Sequence, residues 1–275
     1  MLRIDCETRE TSLDTIASFY DVTPSEIDSF FDTFDIEEIY LKKRPSYLID
    51  EMIRMLFEEK FGSPITGIHE VCWFHLTRTP ESNLFKEGIL PLGEALKSIW
   101  NTLLSIFRDT EHYPKLLSLK GHGVSDYHYA LKVPDKFHWG PYAMLIKDIA
   151  FQASSVGNHD YLWLPEILED ICNGYLTSFN IRIHEIVVSS LKPCIVKFIS
   201  KEYIDDALFN PIIYYLYLTN KGEDMCINSN TCFDGNGCLI PAEDILKIEF
   251  YSKHLFANFS ERTVVIHRTN HCTLR

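Results

Sequence analysis

Val71-Cys72-Trp73-Phe74-His75-Leu76-Thr77-Arg78-Thr79-Pro80 is the stretch on which the reading of this chain turns. From Val71 to Leu76 every residue but one histidine is apolar or aromatic, which suits a short buried strand. Thr77-Arg78-Thr79-Pro80 closes it. The next segment, Leu84-Phe85-Lys86-Glu87-Gly88-Ile89-Leu90-Pro91, reads as the end of a helix through Glu81–Glu87 that stops at Gly88. A longer amphipathic helix over 92–108 follows.

On the N-terminal side the pattern is helical. Thr23-Pro24-Ser25-Glu26 has the form of an N-cap with proline at the first helical position. Ile27, Phe30, Phe31 and Phe34 then recur at helical spacing. A further helix from Ser46 to Glu59 ends at Phe61-Gly62-Ser63-Pro64. Residues 1–65 are therefore expected to be a helical accessory region, and its helices are the surface expected for a protein partner. The acidic residues around Asp32–Glu38 argue against a DNA-binding helix-turn-helix.

On the C-terminal side, strands are expected at Tyr127–Val133, Tyr142–Ile146, Ile181–Val188, Cys194–Ile199, Ile212–Leu218, Ile245–Tyr251 and Thr263–His267. A helix is expected from Pro165 to Tyr175, with Gly174 near its end. The strands fall in irregular pairs with helices inserted. That implies an α+β fold with a mixed, largely antiparallel sheet rather than a doubly wound one. No G-x-G-x-x-G or G-x-x-x-x-G-K motif is present, so neither a Rossmann fingerprint nor a P-loop is available. The domain reading is 1–65 helical, 66–200 catalytic core and 201–275 a β-rich extension.

Composition narrows the function classes. The 275 residues carry 39 acidic against 26 basic side chains, a formal charge of -13, which disfavours nucleic-acid binding by bulk electrostatics. No apolar run reaches the roughly 18–20 residues of a membrane span. The N-terminal stretch is charged where a signal peptide would be apolar, so a soluble cytoplasmic protein without membrane contact is expected. The 8 cysteines include no C-x-x-C pair, and Cys226, Cys232 and Cys238 read as structural or incidental thiols; no metal is expected. His159-Asp160 reads as turn chemistry, and Glu166 with Asp170 as a solvated acidic helix face. There is no G-x-S-x-G for serine hydrolysis.

Two segments carry chemistry. The first is Phe74-His75-Leu76-Thr77-Arg78 with Gly88-Ile89 beyond it. The second is Arg182-Ile183-His184-Glu185-Ile186-Val187-Val188, with Lys192-Pro193-Cys194 after it. Taken singly, a histidine in an apolar strand is a core residue, and Glu185 faces solvent on a half-buried strand. Together they resemble the ADP-ribosyltransferase fold over roughly residues 70–200. In that family a strand with His-x-Thr leads into a helix ending in Gly-Ile or Gly-Leu, and a late strand bears the catalytic glutamate.

The resemblance implies an NAD-dependent ADP-ribosyltransferase of toxin or phage-defence type. NAD is its substrate, nicotinamide is released, and the acceptor is a protein or a nucleic acid. Hydrolysis of NAD by water is the second enzymatic outcome. Glu185 would stabilise the oxocarbenium character that develops at the ribose C1′. His75 would hydrogen-bond the adenosine ribose, Thr77 would fix the nicotinamide end, and Arg78 would meet the pyrophosphate. The aromatic residue over nicotinamide falls to Tyr129, on the same strand face as Tyr127, or to Tyr142. The loop Asn173–Asn180, with Tyr175 and Phe179, lies where the family contacts its substrate. Ile183 stands where arginine-modifying members carry glutamate, which speaks against arginine as the acceptor. The alternative from another class is a catalytically inert α+β interaction module, an inhibitor or sensor.

Overall fold

The structure is a computed structural model that describes residues 2–43, 46–201 and 204–252, and the backbone of 262–267. It is α+β. In chain order the elements are β1 (Arg3–Ile4), α1 (Arg9–Tyr20), α2 (Pro24–Phe31), α3 (Ile36–Lys43), α4 (Ile49–Phe61), β2 (Glu70–Thr79), α5 (Leu92–Ile106), α6 (His112–His122) and α7 (Tyr127–Lys132). There follow β3 (Tyr142–Met144), α8 (Ala153–Val156), α9 (Glu166–Phe179), α10 (His184–Ser190), β4 (Lys192–Ser200), α11 (Phe209–Lys221), β5 (Cys232–Asp234), β6 (Ile245–Tyr251) and β7 (Arg262–His267). The strands form an open sheet in the order β5-β3-β2-β4-β6-β7, with β1 against β2. β2–β3, β4–β6 and β6–β7 pair antiparallel, and β1–β2 parallel.

The chain divides into two compact units. The first comprises Met1–Phe74, Met144–Asn158 and Ile199–Phe233. Its centre is α11, whose residues from Phe209 to Leu218 are nearly all buried. Phe19, Tyr20, Phe31 and Phe57 of α1, α2 and α4 pack on α11 and on one another edge to face, with Phe19 5.1 Å from Phe209 and Phe31 5.8 Å from Tyr217. Ile212–Leu218, expected as a strand, is thus helix. A helix apolar on every side shows no 3.6-residue period, and a run rich in isoleucine and tyrosine then imitates a core strand. The discriminating signals were Pro211 in its first turn and Gly222 in the left-handed C-cap at φ 68°.

The second unit comprises His75–Ala143, His159–Phe198 and Asp234–Arg275. Its core joins Trp100 and Leu103 of α5 and Phe107 at its C-cap, Leu116 and Leu119 of α6, Leu168, Ile171 and Tyr175 of α9, and Ile183, Val187 and Leu191 around α10. Here Ile181–Val188 was expected as a strand and forms the helix α10 instead. Ile183, Val187 and Leu191 stand four apart and enter the core together from one side of that helix; a spacing of four also suits one face of a strand, so these residues did not discriminate the two. Tyr127–Val133 is likewise a helix, begun by the Asp126 side chain accepting from the Tyr129 N–H at 3.0 Å. Asn173–Asn180 is the C-terminal half of α9 with Asn180 at its left-handed cap, and not a loop. Gly174 does not end that helix. A Cβ there would lie 2.2 Å from Val124 Cγ1, so glycine admits a close approach of the neighbouring segment.

Glu81–Glu87, expected as a helix, is a loop. Asn83 donates from its amide to Thr79 Oγ1 at 3.0 Å and its side-chain oxygen accepts from the Phe85 N–H at 3.1 Å, which replaces the first helical turn by a side-chain-closed one. Phe85 follows at φ 48° and Gly88 at φ 85°. A Cβ on Gly88 would fall 2.1 Å from the Ile240 carbonyl oxygen, and the next residue, Ile89, makes both backbone bonds of a bridge with Ile240. The loop is therefore fastened at both ends, at Thr79 and at Ile240.

Candidate functional site

Strand β2 is buried at every position up to Phe74 and alternates from His75 to Arg78. Leu76 and Arg78 are buried, whereas His75 and Thr77 are half-buried and share the other face, two residues apart. Beside that face lies a cavity of about 460 Å³, roofed by the loop from Thr79 to Leu90 and floored by α5. This volume lies in the range usual for small-molecule sites. α5 contributes Ala95, Ser98, Ile99 and Thr102, one face at spacings of three and four, while its large apolar residues Trp100, Leu103 and Phe107 point into the core. The cavity wall is thus rich in small hydroxyl and amide groups, with Ser82 and Asn83 added by the loop.

His75 is held in one protonation form. Its Nδ1 lies 2.8 Å from the Tyr142 backbone carbonyl, which can only accept, so Nδ1 carries the hydrogen. Burial pushes the imidazole below its ordinary titration range, more than the Tyr142 hydrogen bond raises it, so the ring is neutral at pH 7. Nε2 is then a bare acceptor with no partner among the described residues, on a ring that lines the cavity. It is suited to a hydroxyl donor.

Arg78 is 4% exposed and spends its guanidinium on the protein itself. Nε donates to the Val188 carbonyl at 3.1 Å, and Nη1 donates to the carbonyls of Leu162 and Trp163. Burial pushes its pKa down to about 10, partly opposed by the charge of Asp160. It remains a cation and pins α10 and the turn before α9 to β2. The cations and anions that border the cavity beyond Arg78 are Lys86 and Glu87, both exposed and neither ion-paired among the described residues.

The other sequence-derived residues lie apart from the cavity wall. Tyr129 packs on the helical core, its hydroxyl accepting from Trp100 Nε1 at 3.2 Å. On a helix Tyr127 and Tyr129 face opposite ways, which corrects the shared strand face expected of them. Tyr142 is 40% exposed, donates its hydroxyl to the Phe137 carbonyl at 3.2 Å, and reaches the site through its own carbonyl on His75. Burial, with the charges of Asp234 and Glu166, raises its phenol above the usual range. Glu185 is exposed in the first turn of α10 and does not border the cavity. Its neighbour His184 is buried, 2.9 Å from Asn173 Oδ1, and burial lowers its pKa.

Glu166 and Asp170 hold the Lys132 ammonium at 2.8 and 3.0 Å rather than facing solvent as a bare acidic pair. Burial raises both carboxyls, but the Lys132 hydrogen bond and charge outweigh it at Glu166, which ends below its ordinary value, and not at Asp170, which ends above. His159 Nε2 lies 2.6 Å from the Leu164 carbonyl, a turn contact. Among the described residues no cluster of histidine, cysteine, aspartate or glutamate could hold a metal ion, and Cys226, Cys232 and Cys238 are free thiols.

The polar groups that sequence reasoning missed are Ser82, Asn83, Ser98 and Thr102. The signal for the last two was present: small and hydroxyl residues at 95, 98 and 102 form a stripe beside the apolar stripe of the same helix. No helix of the described residues is long and apolar enough to cross a membrane. Comparison with known proteins gives no match among protein-family models, curated proteins or solved structures.

Proposed function

We propose that the His75 cavity binds NAD and that the protein is an ADP-ribosyltransferase or NAD glycohydrolase, its fold a variant of the ADP-ribosyltransferase core. The single observation that carries this reading is the fixed neutral tautomer of His75. Its Nδ1–H is engaged by Tyr142, and its Nε2 is left as an acceptor beside Thr77 on the cavity wall. A ribose hydroxyl is a fitting donor to that nitrogen, and Thr77 can serve the carboxamide of nicotinamide. Lys86 is the cation for the pyrophosphate, since Arg78 is committed to three backbone carbonyls.

In the reaction the C1′–N bond breaks, nicotinamide departs with the electron pair, and the acceptor or water attacks C1′ and loses a proton. A carboxylate near the ribose stabilises the cationic transition state. The family resemblance assigns this role to Glu185; among the residues bordering the cavity the carboxylate is Glu87. Glu185→Gln and Glu87→Gln, assayed for nicotinamide release, discriminate the two, and loss of release in one alone identifies the carboxylate.

A second reading has an observation in its favour. Glu185 stands exposed and off the cavity wall, as it would in a binding module without turnover. NAD binding without nicotinamide release, in the presence of lysate and nucleic acid, would establish that reading.

A further inference from the structure

The roof of the cavity is a strained segment. Phe85 stands at φ 48°, in the left-handed region that bulky side chains avoid. It is nevertheless the residue that the loop turns inward. Of the four residues between Asn83 and Gly88, Lys86 and Glu87 are exposed, Leu84 is half-buried and Phe85 is only 8% exposed. A left-handed phenylalanine persists only where its surroundings hold it there, and such residues gather at ligand clamps and switch segments.

What holds it is the loop's own bonding and the burial of one ring. The Phe85 N–H donates to Asn83 Oδ1 at 3.1 Å, and the Phe85 carbonyl accepts from the Gly88 N–H at 3.0 Å. Asn83 bonds back to Thr79 Oγ1 and to the Pro80 carbonyl. The hydrogen bonds of Asn83, Phe85 and Gly88 thus stay within residues 79–88, and none ties the middle of the segment to the rest of the unit. Ile89 differs, with both backbone bonds of its bridge made to Ile240, and Gly88 before it, at φ 85°, has no Cβ to strike the Ile240 carbonyl. The segment is therefore a strap with fixed ends whose middle is held down by the Phe85 ring, with Leu84 beside it. Burial of the ring favours the closed form, and the left-handed backbone opposes it at a cost of like size. Two opposed contributions of similar size leave an open form within thermal reach.

We propose that residues 81–88 form a two-state strap over the His75 cavity, latched by Phe85 and released when its backbone relaxes and the ring leaves the interior. The strap carries Ser82, Lys86 and Glu87, so release widens the entrance and takes the exposed charges of the cavity border away with it. His75 and Thr77 lie on β2, and Ser98 and Thr102 on α5, so these groups keep their places. Ligand enters the released form and is held in the latched one. The latch does not depend on which ligand the cavity takes. That its closure brings Lys86 and Glu87 onto NAD rests on the NAD reading.

The test is amide hydrogen exchange of the full chain, read by mass spectrometry over residues 81–90 and corrected for intrinsic rates. Local opening should make residues 84–88 exchange at least about tenfold faster than the amides of β2. Phe85→Ala removes the ring and keeps the strain, so exchange there should rise about 5- to 50-fold. Phe85→Gly removes both and should exchange more slowly than Phe85→Ala. At an unstrained position that order is reversed, since glycine loosens a chain more than alanine does. Phe85→Leu, which keeps an apolar side chain in the interior, should lie between the wild type and Phe85→Ala, and it replaces Phe85→Ala if that variant does not fold. Saturating NAD should slow the exchange of residues 84–88. Exchange of that segment as slow as β2 overturns the proposal, as does a Phe85→Gly variant that exchanges faster than Phe85→Ala. NAD that binds by calorimetry yet leaves the segment's exchange unchanged also overturns it. NAD that does not bind overturns the NAD reading instead, and the order of the glycine and alanine variants still decides the latch.

Discussion

His75 shows how one hydrogen bond can set the chemistry of a pocket. The carbonyl of Tyr142 takes the Nδ1 hydrogen, burial keeps the ring uncharged, and Nε2 is left as an acceptor. The pH dependence follows with its sign. The folded-state pKa lies below the ordinary value of about 6.5, so the unfolded chain binds the proton more readily and stability falls as pH drops through that value and below. Ligand binding that uses Nε2 as acceptor is expected to be level above about pH 6.5 and to weaken below it. Calorimetric titration of NAD from pH 5 to 8 checks this, and a His75→Gln variant should lose the acid limb. Arg78 is expected to matter to stability rather than to ligand charge. Arg78→Met frees three carbonyls from a buried cation and should cost roughly 2–4 kcal/mol in chemical denaturation. A surface arginine would cost almost nothing.

At the scale of elements, the central strands and several amphipathic helices were legible in the sequence, whereas the short strands β1 and β5, helix α6 and the fully buried or side-chain-closed segments were not. β2, β4, β6 and α5 stand where the apolar runs and the helical spacing put them. The N-cap at Thr23 was readable because the Thr-x-x-Glu capping box is local, with the Thr23 N–H donating to Glu26 at 2.8 Å. α10 and α11 read as strands because their isoleucine, valine and tyrosine content reports burial, not period. The roof loop read as a helix because Asn83 and its side-chain turn outweigh the helix-forming residues after it. His75, Thr77 and Arg78 were found from the strand motif and border the cavity; Glu185 and Tyr129 were placed on strands that are helices.

The roof loop also gives the clearest local test. Gly88→Ala puts a Cβ against the Ile240 carbonyl at a left-handed backbone. It should cost at least about 2 kcal/mol and loosen the cavity roof, so NAD binding should fall more than the melting midpoint does. Lys132 tests the packing of α7 on α9. Lys132→Met leaves Asp170, 5% exposed, without its cation, and a destabilisation of about 3 kcal/mol is expected by denaturant titration.

For the whole molecule, charge and pocket chemistry pull in different directions. The net charge of -13 opposes any polyanion, while Lys86 stands as an exposed cation on the cavity border. Both readings of the site therefore rest on local groups, and both His75 and His184 make the protein acid-sensitive in the same direction. The central claim is that the His75 cavity takes NAD and cleaves its nicotinamide bond. It is tested most directly by nicotinamide release from NAD, measured for the wild type and for His75→Ala with lysate supplied. Release by the wild type and at least about a tenfold loss in the variant are expected, the scale of one lost transition-state hydrogen bond. Wild-type protein that folds and neither binds NAD nor releases nicotinamide would contradict it.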